Sequence, residues 1–131
     1  MENKRLLLDS HAFLWAIAEP ELLGSEVRRL LDDPETEAWI SVASIWELLL
    51  KHAKGKLQIK VEIPELMSHL RKARLKVLTI RYEHVMASYR LPGVHKEPFD
   101  RLLIGQAQIE DLVLATKDST VRRYGLVSIW N

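Results

Sequence analysis

Four acids in this chain stand where they could handle a phosphodiester. Asp9 ends the apolar run Leu6-Leu7-Leu8, and Glu47 lies one turn into the helix after the second such run. Asp118 follows the fourth run, and Asp100 opens the helix that feeds it. Carboxylates packed within a few Å repel one another, so one or more stays protonated unless a cation sits between them. The cations suited to such an all-oxygen set are Mg²⁺ and Mn²⁺, which keep several waters and share ligands with substrate phosphates. A pair of these ions roughly 4 Å apart can activate a water and stabilise the leaving oxygen of a phosphodiester. Zinc is disfavoured: there is no cysteine, and His11, His52, His69, His84 and His95 include no close pair of the H-x-x-x-H kind.

Each acid also has a structural use. Asp9 and Asp118 can cap the helices that follow them. Glu47 can pair with Lys51 one turn on, contributing about 0.3–0.5 kcal/mol as an exposed pair. Asp100 stands two residues after Pro98, which suits the first helical position, so Glu97 is the expected N-cap and Asp100 can serve the free N–H groups and the positive helix end. Glu is, however, a poor N-cap beside Asp, Asn or Ser. Four structural uses would require four coincidences at one end of one sheet, and the cluster is the reading adopted.

Convergence depends on the elements that carry the acids. Short apolar runs at Arg5–Leu8, Ala38–Val42, Val77–Ile80, Leu112–Thr116 and Leu126–Trp130 read as five strands. Between them lie helical stretches at His11–Ala18, Glu26–Leu31, Ile45–Lys54, Ile63–Arg74, Tyr82–Tyr89, Pro98 to about Ile109, and Asp118–Tyr124. Ser25 and Ser44 are the expected caps of the second and third. Nearly continuous apolar strands alternating with helices imply an α/β fold, a three-layer α/β/α arrangement around a mostly parallel five-stranded sheet. Ligands of such sheets bind beyond the carboxyl ends of the strands where strand order reverses. If the first and fourth strands are neighbours, all four acids share that edge.

The 131 residues suffice for one domain, spanning 1–131, and are too few for two ordinary ones. Hydrophobic residues at 47% and charged residues at 28% describe a folded chain, not a disordered one. No apolar run reaches the length of a membrane span, and the three leucines before Asp9 are too short for a signal-peptide core. With cysteine absent, a cytoplasmic location is expected. The net charge of +1 does not mark a nucleic-acid binder, so any such contact must come from local patches.

Leu6-Leu7-Leu8-Asp9-Ser10-His11, Ser41-Val42-Ala43-Ser44-Ile45-Trp46-Glu47, Lys51 with Gly55-Lys56-Leu57, His95-Lys96-Glu97-Pro98-Phe99-Asp100-Arg101 and Thr116-Lys117-Asp118 resemble, in this order, the motifs of PIN-domain proteins, most closely the VapC-like toxins of bacterial type II toxin–antitoxin pairs. The resemblance runs from Leu6 to Trp130. Its specific parts are Trp46-Glu47 and Pro98-Phe99-Asp100-Arg101. It implies a metal-dependent ribonuclease using Mg²⁺ or Mn²⁺, with Asp9, Glu47, Asp100 and Asp118 as catalytic and metal-holding acids. It also implies a homodimer and a cognate antitoxin whose tail occupies the active groove. The family commonly has Asp where Glu97 stands. Some members carry a further acid or Asn after the fourth acid, where Ser119 and Thr120 follow here.

On this reading Asp9, Asp100 and Asp118 hold the metal, and Glu47 ligates it or orients the attacking water. Ser10 and Thr116 can bond carboxylates or the scissile phosphate, although a capping or strand-end contact is the simpler use of each. Arg101 is a candidate phosphate contact, with a structural pairing as the simpler use. Lys51, Lys54, Lys56 and Lys60 form one basic run and Arg71, Lys72, Arg74 and Lys76 another. The first adjoins the Glu47 helix and is the better candidate for RNA phosphates, which would make affinity fall with salt. Trp15, Trp39, Trp46 and Trp130 read as core, with stacking on a splayed base as the alternative for Trp15 or Trp46. Rivals to the RNA reading are a DNA or flap nuclease using the same acids and a catalytically silent, partner-binding member. A phosphoacceptor module is disfavoured because Ser10 and Ile80 stand where it would need acids.

Overall fold

The computed structural model describes residues 4–93, 97–125 and 128–131. At its centre lie five parallel strands: β1 (Arg5–Leu8), β2 (Glu37–Ser41), β3 (Leu75–Leu78), β4 (Val113–Ala115) and β5 (Ser128–Ile129), in the order β3-β2-β1-β4-β5. The middle strand is all leucine after Arg5, and Leu6, Leu7 and Leu8 have no exposed surface. Both faces of an inner parallel strand must be covered, and alternate side chains show how. Leu8 packs with Phe13, Val27, Leu48 and Leu70, which belong to α1 (Ser10–Ala18), α2 (Ser25–Asp32), α3 (Val42–Ala53) and α4 (Leu66–Lys72). Leu7 packs with Leu103, Ile104 and Ala107 of α6 (Pro98–Glu110). The result is the three-layer α/β/α fold expected from the alternation of elements.

The helix α5 (Tyr82–Arg90) lies on α6 at very short range. Gly105 permits the approach, because a Cβ there would fall 2.8 Å from both the His84 carbonyl oxygen and the Ser88 nitrogen. A polar knot ties the pair. His84 is wholly buried; its Nε2 meets Glu110 Oε2 at 2.7 Å, and its Nδ1 accepts the Arg81 backbone N–H at 3.0 Å. Arg81 also reaches the same Glu110 oxygen at 2.5 Å. Hydrogen bonds from His84 and Arg81 together hold the Glu110 carboxyl below its ordinary range, His84 contributing most.

Some boundaries differ from the sequence expectation. β3 begins at Leu75, not Val77, because pairing Ala38↔Leu75 through Ser41↔Leu78 buries Leu75 and Leu78, while Ile80 lies exposed past the strand. β2 ends at Ser41, whose hydroxyl accepts the Ala43 N–H at 3.0 Å and so starts α3 three residues before Ser44. The stretch from Ile63 opens as a 3₁₀ turn, Ile63–Glu65, before α4, and the expected last helix is a 3₁₀ segment, Ser119–Tyr124. Gly24, not Ser25, is the N-cap of α2. His95 and Lys96 of the motif, and Leu126 and Val127 of the expected fifth strand, lie outside the described residues.

Candidate active site

β1 and β4 are hydrogen-bonded neighbours with Leu8 opposite Ala115, so the residues that follow them, Asp9 and Thr116, leave the sheet side by side. The Asp9 N–H donates to the Ala115 carbonyl at 3.1 Å and extends the ladder by one step. The Asp9 side chain then caps α1, with Oδ1 accepting the Ala12 N–H at 2.8 Å. Capping and convergence thus coexist at one residue. Burial pushes the Asp9 carboxyl above its ordinary range. A hydrogen bond from Thr116, the Ala12 N–H and the charge of His11 favour the ionised form, but they do not outweigh burial, and the negative charge of Glu47 adds to the upward push.

Thr116 is buried and links two acids: its hydroxyl hydrogen-bonds Asp9, and its Oγ1 accepts the Asp118 N–H at 3.1 Å. Asp118 is the N-cap of the 3₁₀ segment, with Oδ1 accepting the Thr120 N–H at 3.0 Å and the Thr120 hydroxyl at 2.5 Å. The hydroxyl two residues after Asp118 is thus engaged with Asp118 itself. Asp100 sits in the first turn of α6, where Pro98 takes an opening position and Glu97 occupies the N-cap with no side-chain hydrogen bond. The helix end there is left to the acid one turn in, which suits its positive pole.

Asp9, Asp100, Thr116 and Asp118 line one pocket of about 180 Å³ floored by Leu103, Ile104 and Leu114. Three of the four acids predicted from sequence thus face a common space. Glu47 stands to one side, buried, with Oε1 accepting the Ser10 hydroxyl at 2.5 Å and Oε2 the Lys51 ammonium at 3.2 Å. Among the described residues, no three acids or histidines are gathered tightly enough to form a preassembled metal cluster. The donor chemistry nonetheless fits a hard divalent cation. Every donor is an oxygen, and the buried Asp9 carboxylate gains a compensating charge when a cation is near.

The other candidates separate clearly. Ser10 and Lys51 both hold Glu47, so the Glu47–Lys51 pair is a half-buried contact of the site and not the exposed helix pair first considered. Lys54 caps the C-terminal end of α3, exposed with Lys56, and Lys60 pairs with Glu19. Of the second basic run, Arg74 reaches the Leu31 carbonyl and Lys76 lies over Trp39. The Arg101 guanidinium donates to the carbonyls of Leu91 at 2.7 Å, Gly93 at 2.8 Å and Ser88 at 3.1 Å, which commits it to closing the C-terminal end of α5. Trp46 is 56% exposed and meets Phe99 edge-on at 5.3 Å, so it is not a core residue. Sequence reasoning assigned no role to His11 or Lys117. Both flank the acids, and their adjacency to Asp9 and Asp118 was the available signal.

The sequence matches the PIN domain family over residues 6–126. Among curated proteins, none matches it significantly. Among solved structures, the chain is similar to one in VapBC2 from Rickettsia felis bound to a DNA fragment from their promoter, at 18% identity and a TM-score of 0.68, with 96% of this chain and 98% of that one covered. A chain of DNA-bound VapBC from Salmonella typhimurium gives 18% identity and a TM-score of 0.68, with 97% of each chain covered. FitAcB from Neisseria gonorrhoeae gives 18% identity and 0.62, with 96% of each covered. At these identities the likeness is one of fold.

Proposed function

Since the chain belongs to the PIN domain family, a family of nucleases, we propose that it is a metal-dependent endoribonuclease and the toxin of a type II toxin–antitoxin pair. The observation that carries the reading is that Asp9, Asp100 and Asp118 line one pocket beyond the carboxyl ends of β1 and β4. Asp9, Asp100 and Asp118 would hold Mg²⁺ or Mn²⁺, with Glu47 beside them. Such an ion supplies a water of lowered pKa and charge stabilisation at the leaving oxygen of an RNA phosphodiester. Glu47 would orient the attacking water or accept its proton, with Ser10 and Lys51 bonded to its two oxygens. Thr116 keeps Asp9 and Asp118 in mutual register through one hydroxyl. Lys54, the C-cap of the Glu47 helix, is a candidate phosphate contact.

Similar structures include VapBC assemblies and a toxin–antitoxin complex from Klebsiella pneumoniae, which supports a protein antitoxin as the partner of this chain. A homodimer is the second assembly proposed. Its support is the outer face of α5, where Tyr82 is 73%, Val85 49% and Tyr89 80% exposed at helical spacing. Exposed Glu83 and Arg90 stand seven residues apart on the same helix, so two antiparallel copies of α5 would set each Glu83 near the other's Arg90. Among the described residues no helix is long and apolar enough to cross a membrane, and a cytoplasmic site of action is proposed with the toxin reading.

The test is cleavage of labelled RNA and DNA, side by side, by the purified chain with Mg²⁺ or Mn²⁺ and with Asp100→Asn. RNA cleavage lost in the variant is expected. Equal cutting by wild type and variant would end the four-acid reading, and preferred cutting of DNA would move the substrate.

A further inference from the structure

Next to the acidic pocket, and sharing Asp9, His11, Thr116 and Asp118 with it, lies a second cavity of about 290 Å³ with a different character. Its walls are His11, Trp15 and Trp130, with Lys117 at its edge. His11 and Trp15 lie one turn apart on α1, their ring centres 5.6 Å apart, and Trp130 follows β5 with its ring 5.8 Å from Trp15. The Lys117 ammonium is 5.5 Å from the Trp15 ring centre. Lys117 falls between Thr116 and Asp118 in the chain, which ties the aromatic cavity to the acids.

Resting on the endoribonuclease reading, we propose that this cavity is a nucleobase subsite: an unpaired base of the RNA, adjacent to the scissile phosphate, seats among His11, Trp15 and Trp130 while Lys117 meets the backbone phosphate. Three observations carry it. Trp15 and Trp130 pack their inner sides on the core, as expected of half-buried tryptophans, yet border open space on the other. A close-packed interior leaves no such space beside a large ring. The volume sits near the low end for small-ligand pockets, roughly 300 Å³, which suits one base better than a larger group. The chemistry pairs an aromatic platform with a cation, the combination that proteins use for single-stranded nucleic acid. A base held here would also fix the strand's position relative to Asp9 and Asp118, so the subsite would contribute to the choice of cleavage position.

The experiment is binding in EDTA, where no cleavage occurs, followed by quenching of tryptophan fluorescence. The probes are a short single-stranded oligoribonucleotide and the same strand with one abasic residue moved along it. The expected result is that one abasic position weakens binding roughly 5- to 150-fold, the range for losing one stacked base. Trp15→Phe should keep most of the affinity and Trp15→Leu should lose the dependence on the base. Lys117→Ala, on an exposed residue outside the core, should weaken intact and abasic strands alike. It keeps the test alive if Trp15→Leu does not fold. Equal affinity for intact and abasic strands at every position would overturn the subsite. So would quenching by an arginine-containing, tryptophan-free peptide where the oligoribonucleotide gives none, which would assign the cavity to a protein side chain. Because binding is read without metal, base-dependent binding with no cleavage would refute the nuclease reading alone, and cleavage with no base dependence would refute the subsite alone.

Discussion

Replacing Asp9 with Asn tests the site and its physical description at once. Asn is as good an N-cap as Asp and can accept the same Ala12 N–H and Thr116 hydroxyl. The change therefore keeps the geometry and removes only the ionisable group. Burial raises the Asp9 carboxyl above 3.8, so the folded protein binds that proton more tightly than the unfolded chain. Stability is then lost as pH rises from about 3.8 through the folded value and stays lost above it. Asp9→Asn escapes this loss and should melt above wild type at pH 7, with the difference gone near pH 3.5. Asp9→Ala loses the cap, about 1 kcal/mol, and the Thr116 bond, roughly 1 kcal/mol more. It should therefore melt below Asp9→Asn by about 4–8 °C for a domain of this size. Mg²⁺ at a hundred times its Kd should add about 2.7 kcal/mol to wild type and little to either variant. Cleavage by Asp9→Asn should fall at least about 100-fold, since even indirect contacts to a metal are worth 10–100-fold. Calorimetry at two pH values with and without Mg²⁺, beside an RNA cleavage assay, reads all of this. A variant that melts below wild type at pH 7, or gains equally at both pH values, would refute the burial argument. Retained cleavage would refute the role.

Three further outcomes follow from the packing. Gly105→Ala should cost about 1–3 kcal/mol, because its Cβ would press on the His84 oxygen and the Ser88 nitrogen; an unchanged urea midpoint would mean that α5 and α6 can separate freely. Glu110 is held below 4.5 by His84 and Arg81, so its contribution is present above that value and is lost as pH falls through the lower folded one; Glu110→Gln should flatten the acid side of the stability profile measured by denaturant melts. Arg101→Lys keeps the charge but not the fork that serves three carbonyls, and should lower the melting temperature while leaving cleavage within a few-fold; slowed cleavage with unchanged melting would return Arg101 to the substrate.

The architecture was legible because β1 is all leucine after Arg5 and because apolar runs alternate with capped helices. Asp9 and Asp118 were legible for a related reason: each follows a strand end within a few residues, and the β1–β4 pairing turns that step into proximity. What sequence could not give was set by partners far along the chain. β3 starts at Leu75 because β2 dictates the register, although Arg74 and Lys76 interrupt the apolar pattern there. Arg101 read as a structural residue with a phosphate contact as the lesser alternative, but nothing local reveals that its partners are three carbonyls at the α5 end and not an acid. Trp46 looked like core by residue type, while its helix turns it outward against Phe99. The Thr116 bridge between Asp9 and Asp118 joins residues whose separation in the chain hides their contact.

The placement of β1 in the middle of the sheet carries a consequence for timing. β1 is made first, yet its partner β4 comes more than a hundred residues later, and Asp118 later still. At a synthesis rate of roughly 5–20 residues per second, Asp9 waits about 5–20 s before Asp118 exists to face it. Until β4 pairs with β1, there is no edge on which the acids can meet. On the proposed reading the chain cannot act on phosphodiesters until β4 has been made, and the same strand order would leave any product truncated before Val113 inert.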